Sequence, residues 1–472
     1  MNQTFAILFA TVLVIIATLI PTYIMSRRSA TSEDDWAVAD RSLPTYVVIG
    51  TQLASAMGGG ILVGHLGNAY LNGIAIALYG LLGGALPFVF IMIPAKWLRQ
   101  NNFSTVPEIL RSFSNNNKFV AIVAALMTIA VPFGWITSQI TAFGSIYTSI
   151  TGLDYTLLCI VFAAVSLLFV MPAGLKTVAW TDFIFASFMI FMCIVCIFQV
   201  TKMGGGWSNI KATLESTDPD MLSLTGSMRK LGQGTLFLWF CSLLPGGVTN
   251  QLYFQRVCAI KDDKQVVKSL AITAILCFLS FAWAIYMGMS IKTLNTELTQ
   301  STATGWFMTQ LSTPLMAGFA ALVFAVMMST VSSGVQSVVV NITRDIIGVL
   351  KPETSPEKML SLSRILSIVT MIVAVLLCLV FTDTLTWLVA TYAFSAATLL
   401  CPIYVGYALR DKKFITKEGL IASIIAGCIG CALAMVLKTK INYAMMGIVF
   451  SFIALMVVSA MTKGKLAEYN DQ

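Results

Sequence analysis

Four side-chain hydroxyls fall within five consecutive residues of the segment AALVFAVMMSTVSSGVQSVVVNITRD (320–345): Ser329, Thr330, Ser332 and Ser333. On a helix, Ser329, Ser332 and Ser333 share one face at i, i+3 and i+4 spacing. Thr330 is turned away from Ser329 by about 100°. One helix can therefore present oxygens to two neighbouring places. Hydroxyl and carbonyl oxygens are hard donors, suited to small alkali cations rather than soft metals. The same residues also let membrane helices approach closely and hydrogen-bond. A second chemically active residue is Asp182, in KTVAWTDFIFASF, the one acid well inside an apolar run. An intramembrane carboxylate is costly unless paired. With no Lys or Arg expected at its depth, its natural partner is a monovalent cation held jointly with neutral oxygens. The single histidine, His65, follows Gly64 in an apolar run and reads as a hydrogen-bonded core residue. Cys193/Cys196 and Cys428/Cys431 have CxxC spacing but sit among aliphatics, which points to buried thiols, not to a disulfide or a metal.

These groups are carried by a chain of 472 residues that is 57% hydrophobic and 11% charged, with mean hydropathy +0.85. A soluble domain has about 25% charged residues. The chain therefore reads as an all-α integral membrane protein, one domain over 1–472. A crossing needs about 20 mostly apolar residues. That rule gives 13 segments, near 4–25, 45–71, 73–96, 119–150, 154–172, 176–201, 232–254, 268–291, 312–343, 360–382, 385–408, 418–437 and 441–462. The first has no positive n-region before it and too long an apolar run for a cleaved signal peptide. With the N-terminus outside, all but seven of the 29 Lys and Arg residues fall in inner loops; the exceptions are Lys202, Lys211, Arg229, Lys230, Lys292, Lys438 and Lys440. The bias favours N-out, C-in, and it explains the net charge of +8 without nucleic acid. Of the outward loops, 202–231 opens with Gly204-Gly205-Gly206-Trp207 and fits either a short lid or a plain connector.

Two spans carry helix breakers: Gly58-Gly59-Gly60 in the second and Pro245-Gly246-Gly247 in the seventh. Four spans separate them. They therefore open two successive five-span units, 45–201 and 232–408, with 4–25 before and 418–462 after. An odd number of spans inverts the second unit. Interrupted helices at matching places in inverted repeats point to a transporter site near the bilayer midplane.

The chain resembles the sodium/solute symporter family over about residues 1–460. The markers are EDDWAVADRSLP (33–44), GLKTVAWTD (174–182), NQLYFQR (250–256) and MMSTVSS (327–333), in this order. The resemblance implies the leucine-transporter-type fold of five plus five helices, here with one extra helix before and two after. It implies a sodium site from the carbonyls of Ala54, Met57 and Val326 and the hydroxyls of Ser329 and Thr330. It also implies a second sodium site, found in part of the family, from Asp182, Ser329, Ser332 and Ser333. Proline-carrying relatives have an Asp where this chain has Ala56. Sugar-carrying relatives have polar contacts near positions held here by Gly60 and Ile61. Neither substrate follows from the resemblance.

Candidate substrate contacts are Gly58, Gly59 and Gly60, whose amides suit a small polar or anionic group, with Trp135 and Gln139 in the fourth span and Trp239, Asn250 and Gln251 in or beside the seventh. No Arg is expected at that depth. The expectation is a sodium-coupled symporter of the plasma membrane that imports a small polar organic solute by alternating access. It is not an enzyme: there is no nucleophile triad and no nucleotide loop. Its partners are sodium ions, the solute and the bilayer, with no sign of nucleic acid or an obligate protein partner. The alternatives are a proton-coupled carrier using Asp182, a channel-like conductor, or a membrane sensor, which would want an output domain larger than the tail after Lys463.

Overall fold

Inside a bilayer the backbone must satisfy its own hydrogen bonds, so apolar runs of this length become helices, and irregular backbone persists only where protein or a cavity encloses it. The computed structural model describes residues 3–26, 33–170, 175–380, 384–437 and 441–463; the predicted span ends at 171–172 and 381–382, and the charges Arg27, Arg28, Lys438, Lys440 and Lys465, lie outside them. Among the described residues the regular elements are helical, and an isolated parallel bridge joins Leu43 to Ile260.

The chain opens with α1 (Gln3–Ser26), a short α2 (Glu33–Val38) and α3 (Thr45–Gly59). Helix α3 is interrupted at Gly58 (φ −21°, ψ −168°) and passes through a π-helical turn, Gly60–His65, into α4 (Leu66–Asn72). The next crossing is α5 (Ile76–Tyr79), a second π turn Gly80–Ala85, and α6 (Leu86–Gln100). Then come α7 (Val106–Ser112), α8 (Lys118–Thr128), α9 (Ala130–Thr151), α10 (Tyr155–Val170) and α11 (Leu175–Met203). Two short helices, α12 (Trp207–Thr217) and α13 (Leu224–Leu231), make up the predicted 202–231 loop. After a bend of 90° the chain enters α14 (Gln233–Gly247). It breaks again over residues 248–250, where the Asn250 side chain caps α15 (Gln251–Ala259) by accepting from the Leu252 amide. The rest is α16 (Val266–Leu294), α17 (Ala303–Thr309), α18 (Thr313–Val340), a third π turn Asn341–Ile347, α19 (Gly348–Leu350), α20 (Pro356–Val380), α21 (Thr384–Leu409) and the hairpin α22 (Lys417–Val436) and α23 (Tyr443–Thr462).

Both predicted breaks are present, the first at Gly58 and the second over 248–250, just after Pro245-Gly246-Gly247, which stay within α14. The count of 13 spans is not confirmed. Among the described residues ten helices are long and apolar enough to cross, eleven with the bent pair at 224–259, while the stretches Thr4–Thr18 and Tyr155–Phe169 are apolar but shorter. Helix α18 is the axis of the bundle: 83% of its apolar window is buried, more than in any other span, and it packs on α1, α3, α9 and α11. The outer faces are apolar, as Phe198, Val380 and Met461 illustrate. All ten cysteines are free, and nine are buried.

Close approach at two glycines sets one wall of the interior. A Cβ on Gly80 or Gly84 would run into the Phe281 ring of α16. We expect Gly84→Val to destabilise the fold by about 1–3 kcal/mol, as overpacking does, read as earlier thermal unfolding in detergent; an unchanged transition would show that Phe281 yields freely.

Candidate functional site

The break in α3 leaves backbone oxygens looking for partners. In a regular helix the Gly59 amide would serve the Ser55 carbonyl; here it donates to Gln139 Oε1 on α9. Across the gap on α18, Thr330 Oγ1 lies 3.5 Å from the Ala54 carbonyl, 3.3 Å from that of Ser55 and 3.2 Å from that of Val326. One hydroxyl hydrogen can satisfy only one of three acceptors. The result is an oxygen-rich, buried knot joining the broken helix to α18. Ala54, Val326 and Thr330 were foreseen in it; Ser55 was not. Met57 is buried nearby, with its thioether accepting from Ser280 Oγ at 2.9 Å.

On the other face of α18, Ser329 Oγ donates to Asp182 Oδ1 at 2.5 Å and Ser333 Oγ to Oδ2 at 3.3 Å. Ser332 is buried on the same helix. Thr51 Oγ1 also donates to Asp182 Oδ2, at 2.6 Å. The expectation that no Arg reaches this depth is overturned. Arg256 Nη2 lies 3.6 Å from Asp182 Oδ2, and the two side chains are 0% and 1% exposed. The reason is the second break. Because the chain leaves α14 at 248–250 and restarts as α15, the stretch carrying Arg256 folds into the bundle, and α15 is buried along its whole length. Thr51 and Ser55, four residues apart on one face of α3, are the spacing signal that could have revealed a cation there.

Between the breaks lies a narrow, partly open cavity of roughly 40 Å³, lined by Ser55, Ala56, Gly58, Gly60, Ile61, His65, Tyr79, Gly83, Gly84, Trp135, Ser138, Gln139, Tyr253, Phe281, Leu388 and Tyr392. Trp135 Nε1 donates to Tyr392 OH at 3.0 Å, and the Trp135 and Tyr253 rings meet edge-on at 5.8 Å. No carboxylate or guanidinium is among the lining groups. Of the predicted substrate contacts, Gly58, Gly60, Trp135 and Gln139 line this cavity. The others do not. Gly59 is pressed against Ala142 and Met327, which a Cβ would meet at 2.7 and 2.8 Å. Asn250 caps α15, and Gln251 accepts from the Val106 amide at 2.8 Å. Trp239 faces a second, larger and more open cavity of roughly 360 Å³ with Asn68, Asn72, Lys230 and Gln300. It meets Tyr79 edge-on at 4.9 Å, and the two rings part the cavities. Sequence reasoning treated His65 as packing. It does pair with the Gly60 carbonyl through Nδ1, but its buried Nε2 has no partner, and it lines the central cavity.

Two interrupted helices flanking a cavity, with hard oxygens gathered beside it in an all-helical membrane bundle, define a secondary transporter. A profile described as "Sodium:solute symporter family" matches residues 36–427. The chain belongs to that family. A high-affinity proline transporter of Bacillus subtilis (strain 168) is 24% identical over 410 residues, 83% of this chain and 85% of its own length. A sodium/glucose cotransporter of Vibrio parahaemolyticus is 24% identical over 264 residues, 52% of this chain and 47% of its own. A solved, substrate-bound, outward-open sodium-coupled sialic acid symporter superposes with a TM-score of 0.82 at 17% identity over 98% of both chains. The fold is that of leucine-transporter-type symporters. The protein is a multi-pass plasma-membrane transporter, not an enzyme, and couples sodium to the movement of a small solute.

The glycines differ in what they can tolerate. A Cβ on Gly60 meets nothing nearer than 3.9 Å, whereas one on Gly59 must displace Ala142 or Met327. We expect Gly60→Ala to keep the thermal stability and sodium response of the wild type while weakening solute binding. Gly59→Ala should lower stability and disturb both. Equal behaviour of the two variants in a thermal-shift titration would contradict this division.

Proposed function

We propose that sodium binds in the knot formed by the Ala54, Met57 and Val326 carbonyls with the Thr330 and Ser329 hydroxyls, and that the solute binds next to it in the aromatic-walled cavity. The observation that carries the reading is the convergence on the one Thr330 hydroxyl of the Ala54 and Ser55 carbonyls across the α3–α18 gap and of the Val326 carbonyl from its own helix. A small alkali cation satisfies several such oxygens at once, which a single hydrogen cannot. Residues 45–201 and 232–408 serve as the two inverted repeats, since each begins with a broken helix.

The solute is a small polar molecule that is neutral or zwitterionic, because no charged side chain lines the cavity. Nδ1 of His65 faces a carbonyl and must donate to it, which leaves Nε2 as an acceptor awaiting a donor from the solute. Proline and glucose, named for the relatives above, are reasonable first probes, although an Asp of proline-carrying relatives is replaced by Ala56.

The N-terminus lies outside and the protein faces outward. Supporting this, the end bearing the excess Lys and Arg is sealed by many polar contacts. The Leu43 carbonyl accepts from the Lys261 amide at 2.9 Å, Arg99 Nε donates to the Ile260 carbonyl at 2.8 Å, and Arg344 pairs with Glu108 at 2.5 Å. At the opposite end the second cavity stops at the Tyr79–Trp239 pair. Imported sodium and solute would enter there.

Thr330→Val keeps the side-chain shape and removes an oxygen. A lost hydrogen-bond-like contact to a charge costs about 1.5–3 kcal/mol, or roughly ten- to a hundredfold in affinity. We expect the sodium concentration for half-maximal stabilisation, and for half-maximal uptake in proteoliposomes, to rise by that factor with folding preserved. An unchanged sodium dependence would remove Thr330 from the site.

A further inference from the structure

The Asp182 carboxylate and the Arg256 guanidinium close a network in which each hydroxyl hydrogen has one direction. Thr51 and Ser333 donate to Asp182 Oδ2, and Ser329 donates to Oδ1. Their lone pairs are then free to accept, and Arg256 uses two of them: Nε donates to Thr51 Oγ1 at 2.9 Å and Nη2 to Ser333 Oγ at 2.6 Å. The same Nη2 lies 2.8 Å from Ser55 Oγ, and Nη1 donates to the Leu252 carbonyl at 3.1 Å. An alkali ion bound by Asp182, Ser329 and Ser333 would need the carboxylate oxygen and the Ser333 lone pair that the guanidinium already faces. It would also add a second positive charge beside one carboxylate, in a fully buried place, next to a guanidinium that cannot give up its proton.

We propose that Arg256 is a tethered cation standing where a second sodium would bind, so that this transporter binds one sodium per cycle, on the Thr330 face of α18. The inference rests on the sodium site proposed above. A side-chain charge anchored on α15 does not cross the membrane with the cargo. The charge carried per cycle is therefore that of one sodium plus that of the solute, and the sodium gradient enters solute accumulation to the first power, not squared.

The test is equilibrium binding of radioactive sodium to the purified full-length protein in detergent, with N-methylglucamine chloride holding ionic strength. The wild type should bind one ion per chain with a Hill coefficient of one. Arg256→Gln leaves Asp182 without its countercharge and should take up a second, weaker ion. The charge-balanced double variant Asp182→Asn/Arg256→Gln should return to one, and it keeps the test decisive if Arg256→Gln alone does not fold. Two ions per wild-type chain, or a drop from the wild-type number in the double variant, would overturn the proposal. So would a folded Arg256→Gln protein that still holds one ion. No sodium bound by the wild type would instead overturn the site at Thr330.

Discussion

A charge inside a bilayer-spanning bundle persists only if a countercharge and a full set of hydrogen bonds replace the water it has lost. In this protein the pair is Asp182 and Arg256, and the architecture around it follows from that need. Asp182 comes from α11, Arg256 from the inserted α15, Thr51 and Ser55 from α3, and Ser329 and Ser333 from α18. The network therefore ties four elements, drawn from both halves of the chain, at one point. Breaking such a pair by removing one partner typically costs about 3–5 kcal/mol. It acts as a fixed point for α18, the helix whose opposite face carries the Thr330 hydroxyl.

The broken backbone is the complementary constraint. Unpaired amides and carbonyls cannot face lipid, so each interruption must be surrounded. Gln139 takes the Gly59 amide, Thr330 approaches the orphaned carbonyls, and Asn250 caps the restart of the chain. The cavity between the breaks exists because these partners come from other helices and hold them apart, while Gly80 and Gly84 let α16 come close on the far wall.

Much of this was legible in the sequence. Apolar runs located the helices, and the Gly and Pro clusters located both interruptions, because hydropathy and backbone permissiveness are local properties. The hydroxyls of α18 and the isolated Asp182 stood out because polarity in an apolar run is rare. Arg256 was missed because charge counting assigns every Lys and Arg near a span end to a loop, and a re-entering helix is indistinguishable from a loop by that count. Asn250 and Gln251 were placed at the cavity on chemistry alone, yet the rotation of α15 directs them to capping and to the α7 amide. The aromatic walls from Tyr79, Tyr253, Phe281 and Tyr392 went unnoticed because such residues on apolar helices look like packing, and only the three-dimensional arrangement separates a lining ring from a filling one.

The three π turns, Gly60–His65, Gly80–Ala85 and Asn341–Ile347, bear on how this chain can be compared with its relatives. A π turn lodges an extra residue in a helix without opening a loop. It is a single-residue insertion hidden from any gap-averse alignment. Past such a turn every side chain is rotated by about 100° relative to a helix that lacks it. Equivalence by counting thus holds for Ala54 and Ser55, upstream of the first turn, and holds downstream, at His65 among others, only against relatives that share the turn. Two carriers that differ only in where they seat this extra residue would present different side chains to their solutes on the same scaffold, which offers a route to new specificity that leaves the ion-binding half of the helix untouched.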